Sequence, residues 1–252
     1  MCVPQNNNPA MPEKNNNEET EKKVRALFQQ AMKGYSLVED GDNVLVGLSG
    51  GKDSLCLTEL LARRARIYKP RFSVVAAHIR MENVSYETDT SYIQQFADSL
   101  DIPLHIITTR FDRRDDTKPV CFLCSWYRRK ALFNIAQETR CNKLALGHHK
   151  DDILHTALLN TFFEGRFATM PAKLSMRKMP ITIIRPLCLL DEADIKDFAA
   201  AKGYKKQIKT CPYEHASKRS AARRLLSLIQ DECPDARSCL FHALDADGKL
   251  VQ

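Results

Sequence analysis

The hexapeptide Ser49-Gly50-Gly51-Lys52-Asp53-Ser54 constrains this chain more than any other segment, because of what stands on either side of it. The apolar run Asn43-Val44-Leu45-Val46-Gly47-Leu48 leads into it, and Leu55-Cys56-Leu57-Thr58-Glu59-Leu60-Leu61 follows. A β-branched strand therefore meets a glycine turn that opens directly into an amphipathic helix. Glycine lets the backbone come close to an anion, and the first N–H groups of a helix have no partners within it. Ser49 and Ser54 add hydroxyls, Lys52 a positive charge, and Asp53 a carboxylate suited to Mg²⁺. The corner reads as a phosphate site. It is not the Walker loop, which has four residues between its glycine and Gly-Lys and a Ser or Thr after the lysine. Here three residues separate Gly47 from Gly51-Lys52, and Asp53 follows the lysine.

The rest of the chain repeats the same alternation. Strands are expected at residues 43–48, 72–78, 104–108, 143–147 and 181–185. Helices are expected at 18–35, 54–66, 87–100, 125–139, 151–163, 191–202 and 217–230. Alternating elements of this kind predict an α/β fold with a parallel sheet and helices on both faces. Ligands of such sheets bind at the carboxyl ends of the strands. Residues 1–17, rich in Asn, read as a disordered tail, 18–204 as the main domain, and 205–252 as a cysteine-containing helical extension. No apolar stretch approaches the roughly 20 residues of a membrane span, and the N-terminus lacks a basic-then-apolar signal, so a cytoplasmic protein is expected. Nine cysteines in such a chain point to thiols, metal ligands or redox chemistry rather than a disulfide framework.

The net charge of +7 favours a polyanionic partner, and its distribution says more. Basic residues cluster at Arg110, Arg113 and Arg114, at Arg128-Arg129-Lys130, at Lys202, Lys205, Lys206 and Lys209, and at Lys218, Arg219, Arg223 and Arg224. Such clusters suit a phosphate backbone, while any single one also suits a solvated helix face.

Two further motifs carry chemistry. Cys121-Phe122-Leu123-Cys124 is expected just ahead of the helix at 125–139, where a helix N-terminus favours thiolate over thiol. Taken alone the pair reads as a redox dithiol, half a zinc site or half an iron–sulfur site. Gly147-His148-His149-Lys150-Asp151-Asp152 ends the fourth expected strand beside the phosphate loop. Asp151 and Asp152 suit either Mg²⁺ or the N-cap of the next helix, and the histidines suit substrate contacts. Trp126 and Tyr127 read equally as base-stacking or core residues. Cys56, Cys141 and Cys188 read as packed core thiols, and Cys2, Cys233 and Cys239 as incidental.

The hexapeptide resembles the pyrophosphate loop of the ATP pyrophosphatases, a Rossmann-like, adenine nucleotide alpha hydrolase-like PP-loop fold. Together with Cys121-Phe122-Leu123-Cys124-Ser125, Arg128-Arg129 and Gly147–Asp152, it resembles the tRNA 2-thiocytidine synthetase family. Asn160-Thr161-Phe162-Phe163, Met170-Pro171-Ala172-Lys173-Leu174 and Ile184-Arg185-Pro186-Leu187 are similar to it as well. The resemblance spans residues 18–243. It implies an ATP-dependent sulfurtransferase that adenylates a pyrimidine C2 oxygen of tRNA and replaces it with sulfur, most simply yielding 2-thiocytidine. ATP would contact Ser49, Gly50, Gly51, Lys52, Asp53, Ser54, Gly147 and His148, with Lys52, Asp53 and Asp151 catalytic and Mg²⁺ as cofactor. A 4Fe–4S cluster would sit on Cys121, Cys124 and Cys211, leaving one iron open to carry sulfur. Arg128, Arg129, Lys205 and Lys206 would contact the RNA. The resemblance also implies a sulfur donor such as a cysteine desulfurase, and a homodimer. The chain departs from the family in Cys211-Pro212-Tyr213-Glu214, where Glu214 replaces a second cysteine.

Two rival readings remain at this point. One is the same loop modifying another tRNA base, as in relatives that carry paired-cysteine zinc modules at both ends or no cysteine pair at all. The single cysteine in the first fifty residues and the Cys121/Cys124 pair weigh against those branches. The other is an iron–sulfur redox sensor that binds nucleotide and RNA without turnover, which has no need of a pyrophosphate loop.

Overall fold

The computed structural model describes residues 13–82, 89–111, 119–205 and 218–252. In order, the elements are α1 (Glu13–Gly34), β1 (Asn43–Gly47), α2 (Lys52–Ala65), β2 (Ser73–Met81), α3 (Thr90–Ser99), β3 (Leu104–Thr109) and α4 (Val120–Glu138). They continue with β4 (Lys143–Ala145), α5 (Lys150–Glu164), β5 (Lys173–Ser175), β6 (Thr182–Ile184), α6 (Glu192–Ala201), α7 (Lys218–Glu232) and α8 (Ala236–Ala246). The strands form one sheet in the order β3-β2-β1-β4-β6-β5. All neighbours are parallel except β5, which runs antiparallel to β6 with Leu174 opposite Ile183.

Side-chain alternation along the central strands decides which helix covers which face. Val44, Val46, Val74 and Ala76 point into a core shared with α1, α2, α3 and α6, through Phe28, Leu57, Ile93 and Phe198. Leu45, Ala77 and Ile79 point the other way, onto Leu132, Phe133 and Ile135 of α4. The parallel sheet covered on both faces is therefore as the sequence predicts. A third cluster joins α5 to the C-terminal helices, with Ile153, Leu154 and Ala157 packed on Ala222, Leu226, Leu244 and Leu250. The C-terminal segment thus shares a core with α5, and Val251 bridges back to Lys173.

The differences from expectation are local. The first helix starts at Glu13, five residues inside the expected tail, and residues 1–12 lie outside the described residues. The paired-cysteine helix starts at Val120, so Cys121 lies in its first turn and Cys124 at the start of its second, rather than ahead of it. Pro119 takes the N-cap position, and nothing from Val120 to Cys124 opposes helix. The antiparallel strand β5 and the helix α8 were not expected. Cys211 and Lys206 lie outside the described residues, as do Arg113, Arg114 and Lys209.

Strand order reverses between β1 and β4, because β2 lies on one side of β1 and β4 on the other. That is the switch point at which connections diverge and leave a crevice at the carboxyl edge. The two motifs that follow β1 and β4 are Ser49–Ser54 and Gly147–Asp152.

Candidate functional site

The loop after β1 is wound around one hydroxyl. Ser54 Oγ accepts from the Ser49 N–H at 3.1 Å, lies 3.1 Å from Ser49 Oγ, and donates to the Gly51 carbonyl at 2.9 Å. Ser54 is buried, so its hydroxyl shapes the loop from within. Gly50 has φ +81°, a left-handed conformation that glycine adopts without strain. Gly51 precedes α2 with no side-chain cap, so the positive end of the helix dipole faces the crevice. Gly147, at the end of β4, meets this corner closely: a Cβ there would fall 3.1 Å from the Asp53 carbonyl carbon and oxygen and 3.2 Å from Ser54 N. A side chain there would press on this backbone by a few tenths of an ångström, and the two motifs close on each other through the glycine.

Lys52 is held over the loop by two carboxylates, with Nζ 2.7 Å from Asp53 Oδ1 and 3.3 Å from Glu192 Oε1. Burial works against the ammonium, but the hydrogen bond and charge of Asp53, with Glu192 behind them, hold its pKa above the ordinary lysine value. His149 is buried, with Nε2 3.5 Å from Asp152 Oδ2 and 4.0 Å from Asp53 Oδ1. Nδ1 lies 3.4 Å from Asp151 Oδ2. Burial opposes its protonation, yet Asp151, Asp152 and Asp53 together raise its pKa. The His149 ring therefore sits between the Asp53 and Asp152 carboxylates, each about one-third exposed, and both favour its protonated form. Mg²⁺ is commonly held by one or two carboxylates plus substrate phosphates. Asp53 and Asp152 fit that role.

Asp151 is occupied differently. Its Oδ2 accepts from the Glu192 N–H at 2.8 Å and its Oδ1 pairs with Arg237 Nη2 at 2.9 Å. Burial pushes against the carboxylate, but His149, the Glu192 N–H and Arg237 hold its pKa far below the usual range. Asp151 thus caps α6 from another helix, since Asp191 makes no side-chain cap bond. Asp191 is instead the second partner of Arg237, at 2.6 Å. One continuous chain of contacts runs from Arg237 through Asp151 and Glu192 to Lys52 and Asp53. Sequence reasoning missed Glu192 and Arg237. Neither carries a motif, although Ala236, Leu240 and Leu244 at helical spacing mark the helix that bears Arg237.

His148 is half-buried and accepts at Nδ1 from Arg185 Nε at 3.3 Å, which places its proton on Nε2. Arg185 also donates to the Pro171 carbonyl, and burial, followed by the nearby Arg129 charge, brings its pKa down to about 10. His78 is buried on β2 with Nδ1 2.7 Å from the Leu48 carbonyl. Burial lowers its pKa, and the Arg128 charge adds to that. Arg128 and Arg129 of α4 are thus felt electrically on both sides of the crevice.

The cysteines divide by environment. Burial pushes the Cys56 thiol far up, the Cys188 thiol to about 12 and the Cys141 thiol upward, which leaves all three protonated and poor ligands. Cys121 is exposed and Cys124 half-buried, three residues apart on one side of the start of α4, with no acid in its first turn. The first half of α4 packs through Leu123 onto Met81 and Phe111 at the ends of β2 and β3, so the pair stands at the carboxyl edge. Two accessible thiol donors at a helix N-terminus fit an iron–sulfur cluster, with Cys211 outside the described residues.

Of the remaining basic residues, Lys205 is exposed, with its N–H bonded to Tyr92 Oη and Nζ 5.1 Å from that ring. Lys202 is turned inward to Glu21 and Glu59, so it serves the core rather than a polyanion.

Comparison with known proteins places this geometry among relatives. The PP-loop domain family matches residues 16–227. A tRNA-cytidine(32) 2-sulfurtransferase of Bdellovibrio bacteriovorus is 34% identical over 218 residues, covering 84% of this chain and 83% of that protein. One from Pelobacter propionicus is 35% identical over 233 residues, covering 88% and 85%. Among solved structures, the U34-tRNA thiolase NcsA from Methanococcus maripaludis with its [4Fe-4S] cluster superposes with a TM-score of 0.77 at 23% identity, covering 94% of this chain and 81% of that one. The NH3-dependent NAD synthetase of Campylobacter jejuni reaches 0.51 at 14% identity, covering 92% and 95%. These two share the fold.

Proposed function

The chain belongs to the PP-loop family, in its tRNA-cytidine(32) 2-sulfurtransferase branch, and from that premise we propose that it thiolates cytidine in tRNA at the expense of ATP. The observation that carries the reading is the pairing of a pyrophosphate loop, closed by Gly147, with accessible thiols of α4 at the same sheet edge.

The chemistry has two steps. The C2 oxygen of the cytidine attacks the α-phosphorus of ATP, and pyrophosphate leaves. A sulfide equivalent then attacks C2, and AMP departs with the oxygen. The Ser49–Ser54 backbone and the α2 N-terminus receive the pyrophosphate, and Lys52 neutralises the charge that grows on it. For Lys52 to do so, its contact with Asp53 yields to the phosphates while Glu192 keeps the ammonium near. Asp53 and Asp152 would hold Mg²⁺, which supplies charge neutralisation between the phosphates. Asp151 serves as the brace that fixes α6 and His149 rather than as a metal ligand. His148 and Gly147 line the nucleotide side of the crevice.

Cys121, Cys124 and Cys211 would hold the iron–sulfur cluster, which supplies an open iron for sulfur delivery. Arg128, Arg129, Lys205 and Lys206 meet the RNA backbone, and the target base leaves its stack to reach the crevice. A cysteine desulfurase is the proposed sulfur donor, a homodimer the proposed assembly, and the cytoplasm, where tRNA is modified, the proposed location. No described helix is long and apolar enough to cross a membrane.

The test is a reconstituted reaction. Cluster-loaded protein, ATP, Mg²⁺, sulfide and unmodified tRNA should yield AMP, pyrophosphate and 2-thiocytidine in equal amounts under anaerobic conditions. Pyrophosphate release with sulfur found in another base would keep the activation step and reject cytidine. No pyrophosphate release from intact holoprotein with tRNA would reject the enzyme and favour a sensor.

A further inference from the structure

The first half of α4 is exposed along one continuous arc. At about 100° per residue, Cys121, Ser125, Arg129, Phe122, Trp126 and Lys130 follow one another around the helix. All six are exposed, Trp126 at 46%. The opposite arc already supplies the packing, through Leu123 and Tyr127 against Met81 and Phe111. Phe122 and Trp126, at i and i+4, nevertheless keep about half of their surface exposed on the outer arc. Single exposed apolar residues are ordinary, but an adjoining pair bordered by cations forms a surface.

That surface is prepared rather than loose. The Trp126 ring rests edge-on against Tyr127, with centroids 4.9 Å apart and an angle of 74°. Tyr127 in turn packs on Phe111 at 6.1 Å. Lys130 Nζ lies 5.4 Å from the Trp126 centroid, and the Arg129 charge is felt at Arg185, the partner of His148. No carboxylate occurs from Val120 to Lys130. Aromatic faces interleaved with cations, and no acid among them, complement a strand whose bases are unstacked and whose backbone is anionic. A duplex would offer only its phosphates.

We propose that the Phe122–Trp126–Arg129–Lys130 arc is a stacking platform for unpaired bases beside the target base, resting on the tRNA reading above. Its place between the cysteine edge and the cationic edge of α4 means that a loop stacked there runs past the thiols. An unpaired loop therefore binds more tightly than a helix of equal charge, and the arc selects among RNAs before any chemistry occurs.

Trp126 is the single tryptophan of the chain, so its emission reports this ring alone. Full-length holoprotein would be titrated with a stem-loop RNA carrying an unpaired pyrimidine-rich loop, and with a blunt duplex of equal length. Saturable quenching by the stem-loop and far less by the duplex is expected. Trp126→Ala should weaken stem-loop binding, followed by filter retention, about ten-fold, and Trp126→Phe should restore most of it. Stem-loop binding with unchanged emission, and equal affinity in Trp126→Ala, would overturn the proposal. So would a Trp126→Ala variant that binds RNA normally but shifts a concentration-dependent sedimentation profile, which would make the arc a contact between two copies. Wild-type protein that retains neither RNA would instead reject the tRNA reading itself.

Discussion

Helices α2 and α4 both begin at the carboxyl edge of the sheet, yet they sit in opposite surroundings. α2 buries nine of its 14 residues, from Ser54 to Ala62 without a gap. α4 buries five of 19, and only Leu123 of these lies in its first half. The helix behind the phosphate-loop motif is thus set into the core, while in the loop itself Gly50 and Ser54 are buried, Gly51, Lys52 and Asp53 half-buried and Ser49 exposed. Cys121, Arg129 and Lys130 stand on a helix whose other buried residues, Leu132, Phe133, Ile135 and Ala136, all lie in its far half. A leaving pyrophosphate rewards preorganised donors. A macromolecular substrate needs an open face. The two helices differ in burial in the sense that the proposed reaction requires.

Several substitutions would break or sharpen this contrast. Cys121→Ser should have the largest effect, removing tRNA thiolation entirely while ATP affinity stays within about two-fold, since the thiol stands on α4 and not on the phosphate loop. Calorimetry with a non-hydrolysable ATP analogue and assay of thionucleoside would check both. Lys52→Ala should slow pyrophosphate release by about 10²-fold or more, because it removes charge from the leaving group. The two helices should differ again in stability: Leu57→Ala should cost about 2–5 kcal/mol in denaturant unfolding, and Trp126→Ala no more than about 0.5 kcal/mol. If both cost the same, the contrast between the helices fails. Arg237→Ala should lower pyrophosphate release about ten-fold by loosening Asp151, α6 and Lys52, with Arg237→Lys intermediate because an ammonium can only partly replace the Nη2 group that reaches both Asp151 and Asp191.

The smallest expected effect concerns pH. The raised pKa of His149 means that its contribution to stability is present below its ordinary value of 6.5 and is lost as pH rises through the raised value. The Tm difference between wild type and His149→Gln, measured without Mg²⁺, should therefore shrink as pH is raised above the ordinary histidine value of about 6.5.

The sequence shows the central strands plainly because β-branched runs and glycine turns coincide there, as at Val44–Gly47. It hides β5, since Lys173–Ser175 is too short for any period to show and exists through its pairing with β6 and the chain end. The start of α4 was placed late because Cys121–Cys124 read as a separate motif, although it is helical sequence behind Pro119. At the site, residues within motifs were legible and their partners were not. Asp151 was visible as a carboxylate at a helix start, but its role is set by Arg237, 86 positions later, and by the Glu192 N–H. Long-range pairing of that kind leaves no periodic trace. Ser54 likewise looked like a phosphate donor, and only the geometry shows it turned into the loop.

The central claim is that a core-built activation site and a surface thiol site serve one reaction on one base. Nucleoside mass spectrometry of bulk tRNA from cells lacking this protein tests it most directly, with wild type, Lys52→Ala and Cys121→Ser supplied in turn. The account predicts loss of 2-thiocytidine alone, restored by wild type and by neither variant. Unchanged 2-thiocytidine in cells without the protein, or full restoration by Cys121→Ser, would contradict it.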